Sequence, residues 1–353
     1  MNGLFLYDIN RCVSCLACVA GCKLTNRGSV PWRMVISDNE RAYPGLPVHN
    51  LSLACNHCEN PACLEGCPAK AYHVDQVTGA VILDEKKCLG CNYCYWCCPF
   101  DAPHYDHKLR NIQKCHFCNE RLLSGGEPAC TSACPTGALS YMNSDTTTEL
   151  FGIITETELA PRISFIKPRH SGNINIPPPG ADSRRTKSKV PLSGEWSLMV
   201  FTYLSSLLFA FSFSAISGGL FPGIRLFMIM SVICLAIPLL HLGHPWRAWR
   251  AVSNLRHSPL SVEIFILVLF VIGANAGFIT GIRWLSAGSF IAGLALMVAI
   301  DNVYTAPDSR NVFRFHPGQL FLTGLLFASL FGIEYRALLF IVVLKLIMNN
   351  RVR

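Results

Sequence analysis

The sequence predicts a cysteine-rich α+β domain followed by an all-α bundle of transmembrane helices. Two observations predict this division. All but one of the 18 cysteines lie within the first 134 residues, and almost every long uncharged run lies after Glu195. We therefore expect a cysteine-rich domain at 1–150, an extended strap and linker at 151–193, and a membrane domain at 194–353.

The spacing of sixteen cysteines indicates iron–sulfur clusters. Two groups follow C-x2-C-x2-C-x3-C, one follows C-x2-C-x4-C-x3-C and one follows C-x2-C-x11-C-x3-C. Three closely spaced thiolates can hold one cluster, and a fourth beside a proline can ligate its neighbour, so four [4Fe–4S] clusters are expected. The groups are Cys12, Cys15, Cys18 and Cys22; Cys55, Cys58, Cys63 and Cys67; Cys88, Cys91, Cys94 and Cys98; and Cys115, Cys118, Cys130 and Cys134.

Disulfides and zinc are the alternative uses of these cysteines. A disulfide framework is disfavoured by the C-x2-C spacings, by the recurring Cys-Pro and by opening residues that lack the pattern of a secretory signal. Zinc sites use two thiolates per knuckle, whereas two groups here hold three thiolates at successive x2 spacings. Cys97 and Cys234 fall outside the groups.

Short strands are expected between the cysteine loops, as in a ferredoxin-like double domain. The candidates are residues 3–8, Leu51–Ala54, Ala80–Asp84 and Ala138–Met142. The unequal spacing of the four groups indicates a nested duplication rather than a solenoid. Cluster ligation would cross-link distant loops, so we expect only a small hydrophobic core.

The membrane domain is predicted to contain five or six helices, because a spanning helix needs roughly 20 apolar residues. A sixth helix, Tyr335–Met348, is the weaker candidate because Lys345 must snorkel to the interface. The five uncharged runs are Ser197–Ile224, Leu226–Leu240 (with His241 at its boundary), Ile264–Ile282, Trp284–Ile300 and Pro317–Ile333.

Basic residues in the loops predict the orientation of the chain. Nine lie on the side of the cysteine-rich domain and three on the opposite side, which predicts a cytoplasmic domain at the inner membrane. Export to the periplasmic face with a twin-arginine partner is the alternative. Because these basic residues flank the predicted helices, the net charge of +8 indicates contact with a membrane surface rather than with nucleic acid. The nine are Arg184, Arg185, Lys187, Lys189, Arg247, Arg250, Arg256, Arg310 and Arg314, and the three are Arg225, Arg283 and Arg336.

Two ionisable residues at membrane depth predict a quinol site. His241 ends the second predicted helix and Glu263 begins the third, where such residues are costly and suggest function. A quinol releases two protons as it is oxidised, and His or a partly buried Glu can accept them near neutral pH. Asp301 and His244 are interpreted as interfacial or capping residues, which remains the alternative for His241 and Glu263.

Several motifs resemble the dimethyl sulfoxide reductase-type complexes. Residues 1–180 resemble their four-cluster iron–sulfur subunit, and the membrane half resembles their anchor subunit, so the chain looks like a fusion of the two. The first match rests on Cys55-Asn-His-Cys58-Glu, Pro61-Ala-Cys63, Lys114-Cys115-His-Phe-Cys118 and the strap from Pro161-Arg162 to Lys167-Pro168. The second rests on Glu195-Trp-Ser-Leu-Met, His241-Leu-Gly-His-Pro, Leu260-Ser-Val-Glu263-Ile and Pro317–Thr323.

The resemblance implies a ligand scheme, a menaquinol site at His241 and Glu263, and a separate catalytic subunit that holds a molybdopterin. The family's anchor has eight helices, which leaves the role of the last predicted helices here open. The direction of electron flow also stays open, either from menaquinol to an S- or N-oxide or from a formate-like donor to quinone. A purely structural anchor is the third possibility. The implied ligand sets are Cys12, Cys15, Cys18 and Cys134; Cys115, Cys118, Cys130 and Cys22; Cys55, Cys58, Cys63 and Cys98; and Cys88, Cys91, Cys94 and Cys67.

Overall fold

The computed structural model describes residues 3–27, 31–38, 48–143, 159–166, 196–218 and 221–303. The chain divides into two compact units, Met1–Thr186 and Lys187–Arg353. The first unit is α+β and carries the cysteine groups, and the second carries long apolar helices. The predicted fold class is confirmed. The predicted limits of the strap and linker fall mainly outside the described residues and stay a prediction.

The strands of the first unit are short and pair in four small sheets. Strand β1 lies between β8, which is antiparallel to it, and β9, which is parallel to it. The other pairs, β2–β3, β4–β5 and β6–β7, are antiparallel. The strands are β1 Gly3–Asp8, β2 Met34–Asp38, β3 His49–Leu53, β4 Tyr72–Val74, β5 Val81–Leu83, β6 His104–Asp106, β7 Asn111–Gln113, β8 Leu139–Asn143 and β9 Ile163–Ile166.

The helices of the first unit all begin within a cysteine group, so that cysteines lie in or beside their first turns. Because most of these helices are only about one turn long, they add little independent stability. The unit's main hydrophobic cluster includes Phe117, whose ring is stacked on His57 at 4.5 Å and meets Phe5 edge-on at 4.8 Å. The helices are α1 Ala17–Asn26, α2 Ala62–Glu65, α3 Tyr93–Cys97, α4 Asn119–Leu123 and α5 Ala129–Ser132.

Among the residues of the second unit that the structure describes, four helices are long and apolar enough to cross a membrane. The second of them changes to a 3-10 helix at Ile237–His241, where Pro238 lacks the amide hydrogen that an α-helix needs. The fifth run, Pro317–Ile333, and the sixth candidate lie outside the described residues. The four spans are α6 Trp196–Ser217, α7 with its 3-10 continuation Ile224–His241, α8 Pro259–Thr280 and α9 Arg283–Val303.

Small residues bring α8 and α9 close together. A Cβ placed on Gly277 would lie 2.8 Å from Ser286 Oγ and 3.0 Å from the Ser286 backbone nitrogen. Gly273 similarly faces Ser289, with 3.3 Å between its ideal Cβ position and the Ser289 Cβ. This small-residue contact is typical of helix pairs in membranes, where close backbone approach replaces the hydrophobic driving force.

Candidate functional site

Three cavities in the first unit are each lined by three cysteines of one group and one of another. We call them site A (Cys12, Cys15, Cys18 and Cys134), site C (Cys55, Cys58, Cys63 and Cys98) and site D (Cys67, Cys88, Cys91 and Cys94).

The four remaining group members lie close enough to interact electrostatically. Cys22 interacts with Cys118 and Cys130, and Cys115 interacts with Cys22 and Cys130. We call these four cysteines site B. The linings of sites A, C and D therefore agree with three of the ligand sets implied by the resemblance, and the full ligand scheme stays a prediction. Cys97 also lines the cavity of site C. The choice of Cys98 as the fourth ligand therefore still depends on its x3 spacing from Cys94.

The first C-x2-C loop of every group shares one backbone feature. The residue just before the second cysteine has a positive φ in all four loops: 55° at Ser14, 46° at His57, 69° at Gly90 and 64° at Phe117. Two of these residues turn their amide towards the preceding cysteine, since Gly90 N and Phe117 N each lie 3.4 Å from the sulfur of Cys88 and Cys115 respectively. Left-handed strain in non-glycine residues is characteristic of functional loops, and amides aimed at sulfur suit a thiolate-bound cluster.

Shared neighbours indicate the order of the four sites. Arg33 interacts with Cys18 of site A and with Cys22 of site B. Cys115 of site B interacts with Cys55 of site C. Tyr72 lies beside Cys63 of site C and Cys94 of site D. These shared neighbours indicate that site A lies beside site B, site B beside site C, and site C beside site D.

Two buried cations lie among the thiols. Arg33 is 1% exposed, its guanidinium carbon lies 4.8 Å from the centre of the Phe5 ring, and its Nη2 has no hydrogen-bond partner. Lys114 is also buried and donates to Cys55 Sγ at 3.4 Å. Buried cations are rare unless anionic groups compensate them, so these positions suit sites that carry negative charge.

Burial opposes ionisation of the thiols. It raises the pKa of Cys58 to about 12 and the pKa of Cys63 well above its usual value. At Cys134, burial also acts to raise the pKa, but hydrogen bonds from the Leu139 backbone and Thr136 side chain leave it lowered. Because a metal binds thiolate rather than thiol, metal binding must displace protons at the buried cysteines.

The structure places His241 and Glu263 in the second unit but joins them by no hydrogen bond or ion pair within the described residues. His241 is the last residue of the 3-10 helix that continues α7, and its Nδ1 is buried beside the Pro238 backbone. Glu263 is 5% exposed. Helix α8 begins at Pro259, earlier than expected, so Glu263 lies beyond its first turn rather than at its start. Asp301 lies in the last turn of α9, and His244 directly precedes a second 3-10 helix, Pro245–Val252.

Sequence reasoning missed Arg33 and Lys114 as parts of the candidate site. Lys114 stood out only as a member of a family motif, and Arg33 lies outside every cysteine group. The one available signal was the position of Lys114 directly before Cys115. Lys87 occupies the same position before Cys88, so that signal does not reveal which lysine is buried.

Comparisons with known proteins match the cysteine-rich part of the sequence. The family model described as a 4Fe-4S dicluster domain matches residues 47–144. The B subunit of anaerobic dimethyl sulfoxide reductase of Escherichia coli K12 is 35% identical over 194 residues, covering 52% of this sequence and 91% of that protein. The thiosulfate reductase electron transfer subunit PhsB of Salmonella typhi is 36% identical over 39% of this sequence and 74% of its own length. The formate dehydrogenase-O iron-sulfur subunit of Escherichia coli K12 is 32% identical over 38% of this sequence and 51% of its own length.

Proposed function

Because this chain belongs to the family of iron–sulfur electron-transfer subunits that includes the B subunit of anaerobic dimethyl sulfoxide reductase, we propose that it links quinol oxidation to a separate catalytic subunit. Electrons from menaquinol pass through four [4Fe–4S] clusters to a molybdopterin-containing partner, which reduces an S- or N-oxide or a related acceptor. The chain itself carries no catalytic residue for that substrate.

The observation that carries the proposal is the exchange of one cysteine between groups at sites A, C and D. Three sequential thiols with a fourth from a distant group match the ligation of paired clusters. Among the described residues, no three His, Cys, Asp or Glu side chains converge to hold a single metal ion. The cavities suit polynuclear clusters better than zinc. When bound, such clusters would supply one-electron carriers.

The residues of each site hold and shape the carrier. Cysteine thiolates ligate it: Cys12, Cys15, Cys18 and Cys134 at site A; Cys22, Cys115, Cys118 and Cys130 at site B; Cys55, Cys58, Cys63 and Cys98 at site C; Cys67, Cys88, Cys91 and Cys94 at site D. At Gly90 and Phe117 the left-handed loops aim backbone amides at sulfur, which would raise the reduction potential of a bound cluster. Arg33 and Lys114 offset the negative charge that would otherwise accumulate in a buried interior.

Metal analysis tests the clusters directly. Intact complex purified without oxygen should contain about sixteen irons and a similar amount of acid-labile sulfide per chain, as four [4Fe–4S] clusters require. Replacing Cys63 with Ala should remove or alter one cluster signal in electron paramagnetic resonance, while Cys234→Ala, outside the groups, should leave all four. Zinc without iron or sulfide in the wild-type complex would contradict the proposal.

His241 and Glu263 are proposed as proton acceptors at the quinol site. The imidazole of His241 is a proton acceptor near neutral pH, and buried Glu263 is a costly group that suggests function. His241→Ala and Glu263→Gln should each slow cluster reduction by menaquinol analogues by roughly 10²- to 10⁴-fold, the usual contribution of general base catalysis. Exposed His257 provides the control, since His257→Ala should leave that rate unchanged. Normal quinol-driven reduction in both site variants would leave only an anchor, or a site elsewhere.

Reverse electron flow is a second candidate because a formate dehydrogenase iron-sulfur subunit is among the relatives. In that case the partner would oxidise a formate-like donor, and electrons would pass through the same sites to quinone. The catalytic partner that co-purifies with the chain distinguishes the two directions. An assay with its substrate should show quinol-dependent reduction under our proposal and substrate-dependent quinone reduction under the alternative.

A further inference from the structure

Two lysines of the chain stand directly before a cysteine that begins a group, yet they differ completely in environment. Lys87 precedes Cys88, and its side chain is 48% exposed and paired with Asp84 at 3.3 Å. Lys114 precedes Cys115 and is buried. The same local sequence therefore places Lys87 at the surface in an ion pair and Lys114 inside the domain.

Lys114 is fixed by three contacts, one for each hydrogen of its ammonium group. Its Nζ lies 2.5 Å from the Val81 carbonyl oxygen, 2.8 Å from the Cys115 carbonyl oxygen and 3.4 Å from Cys55 Sγ. No Asp or Glu side chain is among its hydrogen-bond partners in the described part of the chain. Its charge is therefore directed at the thiols.

These contacts place Lys114 at the junction of two cysteine sites. It touches Cys55 of site C and lies within the chain segment that supplies Cys115 to site B. Cys55, Cys63 and Cys115 are also its main electrostatic neighbours. Since reduction adds one negative charge to a cluster, a buried cation nearby stabilises the reduced form, and low local dielectric strengthens the effect.

We propose that Lys114 is an electrostatic positioning residue that raises the reduction potential at the junction of sites B and C, keeping the middle of the electron path reducible. This inference rests on the proposed function, because it requires clusters at both sites. Lys114 does not itself carry electrons. It biases their distribution along the path.

Redox titration of the membrane-bound complex, followed by electron paramagnetic resonance, tests the proposal. In both Lys114→Met and Lys114→Gln, the reduced-to-oxidised ratio of one or two clusters at a fixed potential should fall at least about ten-fold. That change equals about 59 mV for a one-electron couple. Lys114→Gln keeps a donor for the carbonyl oxygens. Lys114→Arg keeps the charge, so its cluster potentials should stay close to those of the wild type. The matched control Lys87→Met should leave all four potentials unchanged.

Four results would overturn the inference. They are unchanged potentials in both neutral variants, an equal shift in Lys87→Met, a shift in Lys114→Met that Lys114→Gln does not share, or loss of iron from both neutral variants. The third would assign the effect to hydrogen bonding, and the last would assign Lys114 to assembly. Iron and sulfide in the wild-type complex are measured alongside. Their absence would refute the proposed function itself, whereas normal content with unshifted potentials would refute only the role of Lys114.

Discussion

At Asp75 a single carboxylate organises the turn between β4 and β5. Its Oδ1 accepts hydrogen bonds from Val77 N at 3.0 Å and from Thr78 N at 2.8 Å, while its Oδ2 accepts one from Asn119 Nδ2 at 3.3 Å. The bonds from Thr78 are the main cause of the lowered pKa of Asp75. The side chain thus joins the turn between β4 and β5 to helix α4 of the fourth cysteine group.

Replacing Asp75 with Asn should destabilise the first unit by about 1 kcal/mol at pH 7, the usual net value of a hydrogen bond. A carboxyl with a lowered folded pKa stabilises the protein above its unfolded pKa, and this contribution is lost as pH falls through the folded value. The difference from wild type should therefore shrink in acid. Thermal unfolding, followed through the absorbance of the clusters, measures this difference in stability between the variant and the wild type. The exposed Glu120→Gln serves as control. A difference that is constant with pH would contradict the charge argument.

Single residues also mark the limit of sequence reasoning. Cysteine spacing predicted four cysteine groups because local spacing is visible in the sequence, whereas the exchange of one ligand between groups was implied only by the family resemblance and stays a prediction. The contrasting burial of Lys87 and Lys114 was not visible, because it depends on Val81, which belongs to a distant strand. A charge gains its electrostatic effect from the dielectric around it, and the fold creates that environment.

At the level of elements, strands were predictable where they bordered cysteine loops. Residues 3–8 form β1 as predicted, and the other three candidates correspond to β3, β5 and β8 with shifts of one or two residues. The strands β2, β4, β6 and β7 were missed, because three of them have only three residues and show too little alternation. Strand β9 lies in the predicted strap and pairs in parallel with β1, a long-range contact that has no local signal.

The helix pair α8–α9 gives a prediction at this scale. Gly277→Ala places a methyl group within 3.0 Å of the Ser286 backbone, which forces the helices apart and should cost about 1–3 kcal/mol. Gly288→Ala on α9 meets nothing within 4 Å and should be neutral or slightly stabilising, since Ala favours helices over Gly. Unfolding of the complex in detergent compares the two variants. Equal stability would show that the close approach does not limit packing.

Across the whole molecule, the two halves differ in how they are stabilised. The first unit has short helices and small sheets, so sixteen thiolates linked through clusters would supply much of its stability. The second unit relies on long apolar helices and close small-residue contacts. Removal of iron by a chelator should therefore unfold the first unit more than the second. Because both units lie in one chain, each cysteine-rich unit is accompanied by one helical unit.

The distribution of basic residues predicts the side of the membrane on which the first unit lies. Among the described loops, Arg247, Arg250 and Arg256 lie between α7 and α8, whereas Arg225 and Arg283 begin α7 and α9. Successive helices alternate direction, so the two sets lie on opposite sides, and the richer side is expected to be cytoplasmic. Protease added to sealed cells should leave the first unit intact, and protease added to inverted vesicles should digest it. Digestion in sealed cells would instead place the sites on the periplasmic face, where a partner exported in folded form would have to accompany them.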